Sequence, residues 1–388
     1  MKYNQHPNFI SHSKRPSGVF VLVGTIALGA IVAPYLLTPR SSSLAAISIP
    51  VTEQEGSAQY TPTSNRVHVQ QLTQEAVAGW TVTPSRNVIA YERGSLRATR
   101  YTATGEKDAT FSPPQVSSLV QAQISSDGMQ GLVHTRIAGN EVVLSGPIER
   151  PLVNPGLGSG SVLSPDGSRI AFFTIENEST TIWTTGVALN DIPRRVTDVR
   201  LQNITLSWLD STHILILSTN TQQAKSYLLL LNTQTKDLTT LISKKDRIEY
   251  NPALQQGDIL VSWYDDSSSS PTLALIPITA PSSFTHLPAQ TSARKCGWAS
   301  NEVVICGVPR SGSLQSSLDA EMNSTRDDIV IISTPSLTTR TVPLSEQSTP
   351  LSIILPTGIQ RSTTYEIVFQ NAFDQKLYTA AIPTRGDE

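Results

Sequence analysis

The chain has 388 residues, a net charge of −2 and 15% charged residues, without a long basic or acidic block. That balance excludes a nucleic-acid partner, which would need Lys and Arg clustered on one face. Two cysteines are too few to staple a small fold, so an apolar core must hold the molecule together.

The first element is apolar. Gly18 to Leu37 reads GVFVLVGTIALGAIVAPYLL and carries no charge. A helix of this length spans about 30 Å, the thickness of a bilayer core. Pro34 falls near its outer end, where a kink is tolerated. Lys2, Lys14 and Arg15 precede it and only Arg40 follows closely, so the charge bias predicts N-in, C-out. The expectation is a single-pass membrane protein, with residues 1–17 cytoplasmic and the rest in the periplasm or extracellular space. A cleaved signal peptide is the rival reading, because Ser43-Leu44-Ala45 offers small residues for a peptidase. The apolar run is longer than a usual signal core, which favours the anchor. Residues 38–65 are rich in Ser, Thr, Pro and Ala and read as a flexible linker.

Residues 66–388 read as one all-β domain. No long stretch shows a 3.6-residue apolar period, β-branched residues and Thr are plentiful, and 25 Pro and 22 Gly are scattered as turn formers along the chain. One unit recurs: a short apolar strand, a polar turn, then a stronger apolar strand. It is clearest in VLSPDGSRIAFFTI at 162–175. Copies stand at TVTPSRNVIAYE (81–92), ISSDGMQGLVHT (124–135), LSWLDSTHILILS (206–218), YNPALQQGDILVSW (250–263), CGWASNEVVICG (296–307) and IILPTGIQRSTTYEIVFQ (353–370). Equivalent turn positions lie at Pro84, Ser126, Pro165, Leu209, Ala253, Ala299 and Thr357. A repeat of about 40–45 residues in an all-β chain marks four-stranded propeller blades. Seven turns predict a seven-bladed β-propeller.

The nine residues Ser164-Pro165-Asp166-Gly167-Ser168-Arg169-Ile170-Ala171-Phe172 resemble the SPDG element of WD40-like repeats, as found in TolB-type bacterial propellers and in the propellers of prolyl-oligopeptidase-type enzymes. The turn chemistry stands on its own. Pro165 pre-sets the first central position, Asp166 can accept from backbone amides across the turn, and Gly167 takes a positive φ. Asp127 and Gly128 occupy the same places one repeat earlier. Metal or catalytic roles for the two aspartates are the minor alternative to turn formation.

The last repeat lacks an outer strand before the chain stops. RVHVQQL at 66–72 alternates apolar and polar residues and is expected to complete that blade, which would leave no open inner edge; plain linker is the other reading. Cys296 and Cys306 flank a predicted hairpin and are disulfide candidates, with two buried thiols as the alternative. Trp80, Trp183, Trp208, Trp263 and Trp298 recur at blade-like intervals and read as packing between blades.

The search for chemistry yields little. G-x-S-x-G, H-E-x-x-H, a P-loop and a dinucleotide fingerprint are all missing from the sequence. GLGSGS at 156–161 lacks the Lys of a phosphate loop and reads as a connector. His68, His134, His213 and His286 fall on different predicted blades. No cofactor and no metal is expected. The extra length before the last blade falls in Pro309–Asp327, where Leu314, Leu318 and Met322 are spaced for one stripe of a short helix, a binding loop or a passive insertion. The leading expectation is a membrane-anchored, non-catalytic binding or scaffold module, monomeric in its ectodomain, for an envelope protein or polymer. The alternative is a propeller enzyme, hydrolase or lyase, with its site at the mouth of the central channel. Acidic and His side chains at that mouth would favour the enzyme; Ser, Thr and apolar residues would favour the scaffold.

Overall fold

The structure is a computed structural model that describes residues 67, 69–102, 104–111, 118–158, 160–176, 178–187, 191–201, 203–219, 225–265, 270–310, 326–344, 353–360 and 364–384. All lie in the unit Thr61–Glu388. The expected anchor and linker, His68, and the stripe Leu314, Leu318 and Met322 fall outside the described residues. No helix among the described residues is long and apolar enough to cross a membrane.

The described chain is almost wholly strand. It begins with β1 (Val69–Gln71), then β2 (Val77–Val82), β3 (Val88–Glu92), β4 (Ala98–Tyr101) and β5 (Lys107–Thr110). Next come β6 (Leu119–Ile124), β7 (Gln130–Ile137), β8 (Asn140–Pro147), β9 (Val162–Leu163), β10 (Arg169–Glu176), β11 (Ser179–Gly186) and β12 (Arg194–Val199). The middle of the chain forms β13 (Ile204–Trp208), β14 (His213–Thr219), β15 (Lys225–Asn232), β16 (Leu238–Gln255), β17 (Asp258–Tyr264), β18 (Thr272–Pro277) and β19 (Thr285–His286). A single 3-10 turn, Ala293–Lys295, leads into β20 (Cys296–Ser300), followed by β21 (Val303–Pro309), β22 (Asp327–Ser333), β23 (Thr339–Val342), β24 (Ile353–Gln360), β25 (Thr364–Asn371) and β26 (Leu377–Pro383).

These strands pair into antiparallel sheets that are mostly four-stranded meanders: β2-β3-β4-β5, β9 to β12, β20 to β23, and β24-β25-β26 with β1. The sheet β6-β7-β8 has three strands and continues only as a bridge between Ser145 and Val153. A seven-stranded sheet runs from β13 to β19 through the long β16. Sequence patterning separates residues 238–243 from 250–255, but the structure joins them. The joining segment kinks at Lys244 and Arg247, both at positive φ, and the register shifts between Asp246 and Glu249. Such bulges bend a strand without ending it.

The burial gradient explains the sequence pattern. A middle strand is covered on both faces by neighbouring sheets, so it loses strict alternation and becomes a continuous apolar run. Ile214, Leu215 and Ile216 of β14 are all fully buried, as are Ile259, Leu260 and Val261 of β17. Burying each such side chain contributes about 1.5–3 kcal/mol. Outer strands relax toward polar residues, as in the exposed KDAT of β5.

The first strand of each meander touches the first strand of the next: β2 meets β6, β9 meets β13, and β20 meets β24. These inner strands surround the centre. Two glycines set one close approach, since a Cβ on Gly297 would lie 1.7 Å from Pro356 O and one on Gly358 2.4 Å from Ala299 Cα. Side chains link neighbours elsewhere. Trp208 Nε1 donates to Val162 O at 3.1 Å, Trp298 Nε1 to Ala253 O at 3.3 Å, and Tyr250 Oη to Ser207 Oγ at 2.8 Å.

The two ends of the domain meet. Val69, Gln70 and Gln71 pair with Ala380, Thr379 and Tyr378, and Leu72 N donates to Leu377 O at 2.8 Å. Val67 bridges in parallel to Leu344 of the preceding sheet's tail. Val67, Val69 and Leu72 are buried by this arrangement.

Candidate active site

The turn residues build structure on the face where inner strands end. Ser164 Oγ donates to Asp166 Oδ1 at 2.6 Å, Ser168 N to the same oxygen at 3.1 Å, and Gly167 sits at φ +69°. Burial alone would raise the Asp166 carboxyl, but these hydrogen bonds from Ser164 and Ser168 hold it below its ordinary value. Asp127 is used in the same way by Ser125 Oγ and Met129 N, with Gly128 at φ +76°. Adjacent turns are joined where Ser126 N donates to Pro165 O at 2.7 Å.

The histidines stay apart. His134 is buried against Ser161 O at 2.9 Å, and burial lowers its pKa. His213 Nδ1 lies 2.8 Å from Asp210 Oδ2, while His286 is exposed beside Phe284. Among the described residues, no three His, Cys, Asp or Glu side chains gather to hold a metal ion.

Charge gathers at the opposite end of the inner strands, around the 3-10 turn before β20. Ser292 caps that turn: Arg294 N donates to Ser292 Oγ at 3.1 Å, and Ser292 Oγ donates to Glu249 Oε2 from β16. Ala293 N is held by Ser262 Oγ of β17 at 2.9 Å. This seat points the next two residues in different directions. Arg294 is exposed, while Lys295 is buried and places Nζ 3.0 Å from both carboxylate oxygens of Asp327. Asp327, the first residue of β22, also accepts from Ile353 N of β24 at 2.8 Å. One carboxylate therefore ties the 3-10 turn before β20 to β22 and β24. Burial draws the Lys295 ammonium below the ordinary lysine pKa, against the attraction of Asp327 and Glu249.

Cys296 follows directly. It faces Cys306 across the β20–β21 hairpin and is joined to it as a disulfide. Asn251 Nδ2 donates to Cys296 O at 2.6 Å, adding a link from β16. Closing so short a loop stabilises by about 2–3 kcal/mol.

Sequence reasoning missed Arg294, Lys295 and Asp327 of the β20–β23 repeat and Glu249 of the repeat before it, which are far apart in the chain except for the neighbours Arg294 and Lys295. The available signal was a charged residue set directly against a buried strand, as in ArgLysCysGly at 294–297 and AspAspIleVal at 327–330.

No family model matches the chain, and no curated protein matches it. Solved structures do. An oligogalacturonate lyase from Vibrio parahaemolyticus matches with TM-score 0.56 and 7% identity, over 83% of this chain and 95% of that one. An oligogalacturonate lyase in complex with manganese matches with TM-score 0.55 and 9% identity, over 83% and 95%. Virginiamycin B lyase from Staphylococcus aureus matches with TM-score 0.50 and 13% identity, over 82% and 99%. At these identities the likeness is one of fold, and the fold is a β-propeller. The manganese of the second neighbour finds no converging ligand set among the described residues here.

The expectation of a non-catalytic scaffold is corrected by these findings. The similar propellers are enzymes, and the 3-10 turn before β20 gathers Glu249, Arg294, Lys295 and Asp327 around Ser292.

Proposed function

We propose that this chain is a propeller enzyme of the lyase type, acting on an oligomer that bears carboxylates, with its site at the 3-10 turn before β20. The observation that carries the reading is an exposed Arg294 and a half-buried Glu249 linked through Ser292 Oγ, which accepts from Arg294 N and donates to Glu249, beside the buried Lys295–Asp327 pair. Elimination beside a carboxylate needs a cation to neutralise that group and a base to take the adjacent proton. Arg294 supplies the cation in a geometry suited to bidentate contact. Glu249, oriented by Ser292, takes the proton; the C–O bond then breaks, and the leaving oxygen is protonated by solvent. Lys295 and Asp327 are positioning residues, because their side chains are 2% and 0% exposed and do not reach a substrate. Hydrolysis by a carboxylate pair is the weaker reading, since it needs two carboxyls open to the sugar and Asp327 is closed off.

The same proposal takes the ring as seven-bladed, with the seven-stranded sheet being two blades sharing β16, and the repeats as TolB-type. It places the domain outside the cytoplasm on the anchor 18–37, a location that the Cys296–Cys306 disulfide supports. Its partner is then an envelope polymer. The test is turnover of uronate-containing oligosaccharides, read as ultraviolet absorbance of the new conjugated double bond. Arg294→Ala is expected to lower kcat/KM by about 100-fold, the scale of one lost transition-state charge contact. Absence of turnover on every acidic oligosaccharide in the panel overturns the reading.

A further inference from the structure

At the other end of β20 lies a cavity of about 540 Å³, within the range of small-molecule sites. Gln256 from the β16–β17 turn, Ala299 to Val303 from the β20–β21 hairpin, and Tyr365 from β25 form its walls. Its shape is held from several sides. The disulfide closes the base of the hairpin. Gln255 Nε2 donates to Asn301 Oδ1, and Trp298 Nε1 donates to Ala253 O, which fix the β16–β17 turn against the hairpin. Gly358 lets β24 press against Ala299, which brings the neighbouring β25 and its Tyr365 to the wall. A site so fixed loses little freedom on binding.

The chemistry of the lining is specific. Gln256 and Asn301 present amides, Ser300 a hydroxyl, and Tyr365 a ring packed with Ala299 in one apolar cluster. Glu302 carries the one formal charge among these wall residues. Its carboxylate is exposed and makes no ion pair among the described residues. Hydroxyls satisfy the amides, a ring edge satisfies Tyr365, and only a cation satisfies Glu302; an anion is repelled.

From this we infer that the cavity is a second binding site, distinct from the proposed active site, for an amino sugar: a polyhydroxylated ring bearing an ammonium group. The site lies at the far end of β20 from Arg294, so it stands or falls independently of the lyase reading.

Three probes of one ring size separate the possibilities in ligand-detected NMR titrations of the folded domain: glucosamine with an ammonium, glucose without charge, and glucuronate with a carboxylate. Glucosamine is expected to bind most tightly and glucuronate least. Glu302→Gln should weaken glucosamine about fivefold, the scale of one solvent-exposed ion pair, and leave glucose unchanged. Asn301→Ala should weaken glucosamine and glucose together. Arg294→Ala should change none of these titrations. Lack of glucosamine binding overturns the inference, as does glucuronate binding as well as glucosamine, or a preference for glucosamine that survives Glu302→Gln.

Discussion

Removing β1 should open the ring, and the structure allows the cost to be worked out. A chain beginning at Thr73 lacks Val67, Val69 and Leu72, which are 4%, 4% and 6% exposed in the folded domain. At about 1.5–3 kcal/mol per buried aliphatic side chain, their loss removes about 4.5–9 kcal/mol, an upper figure because unfolded chains are partly compact. The pairing of Val69–Gln71 with Tyr378–Ala380 goes as well, leaving β26 with an uncovered edge. For a domain of this size or somewhat smaller, each kcal/mol moves the melting temperature by roughly 2–4 °C. Against a chain beginning at Thr61, the melting temperature should therefore fall by about 10–35 °C in a circular dichroism melt. A synthetic peptide covering 66–72 should restore part of that loss in a concentration-dependent way, as strand addition by mass action requires. If the shortened domain melts within about 2 °C of the longer one, β1 does not hold the ring closed and the reasoning fails.

Two further outcomes follow from buried charge. Lys295→Met leaves Asp327 buried without its cation and should cost about 3–5 kcal/mol in denaturant unfolding, while adding Asp327→Asn, which keeps the acceptor for Ile353 N, should recover at least half; equal stability of single and double variants would count against an ion-pair role. His134 is held below its ordinary pKa of 6.5 by burial, so below pH 6.5 the unfolded chain takes up a proton that the folded chain refuses. Stability should thus be steady above that pH and decline as pH falls through 6.5 toward the lower folded value, and His134→Gln should flatten this part of the unfolding profile.

How far the sequence reached depended on the range of each signal. All-β character and the meander of short antiparallel strands were legible because they rest on neighbours in the chain: a two-residue side-chain period, a run of apolar residues, a turn such as Ser164 to Gly167. The long β16 hides in the sequence because Lys244-Lys245-Asp246-Arg247 interrupts its apolar pattern. Positive φ at Lys244 and Arg247 lets that charged segment remain in the sheet as bulges, with Lys245 paired to Asp265 and Arg247 lying over the ring of Tyr264. The candidate site was not legible for a different reason. Arg294 and Asp327 belong to one repeat but stand 33 residues apart, Glu249 belongs to the repeat before, and they meet only because the sheets bring β16, β20, β22 and β24 together. No local period carries that information. A motif contiguous in sequence is not what a propeller site needs, so the lack of one does not make the chain a scaffold.

The ring geometry also explains why charge is found where an apolar contact might serve. Inner strands converge at the centre, where there is no further sheet to cover their ends, so backbone groups there must be satisfied by side chains. Most of the links described above use neutral groups: an indole at Trp208 and Trp298, an amide at Asn251. At the 3-10 turn the link is ionic, and an ion pair at such burial is rarely the most stabilising choice, since apolar residues of similar volume often do as well or better. Its advantage lies in direction. Asp327 can accept from Lys295 and Ile353 together, and that fixes the turn whose next residue back, Arg294, projects outward. The groups that lock three strands are thus the groups that orient the proposed site. Lys295→Met with Asp327→Asn should then separate the two roles: stability largely returns, because no buried charge is left alone, but kcat/KM stays low, because the turn carrying Arg294 and Ser292 has lost its anchor. Recovery of both together would mean that the buried pair serves the fold alone.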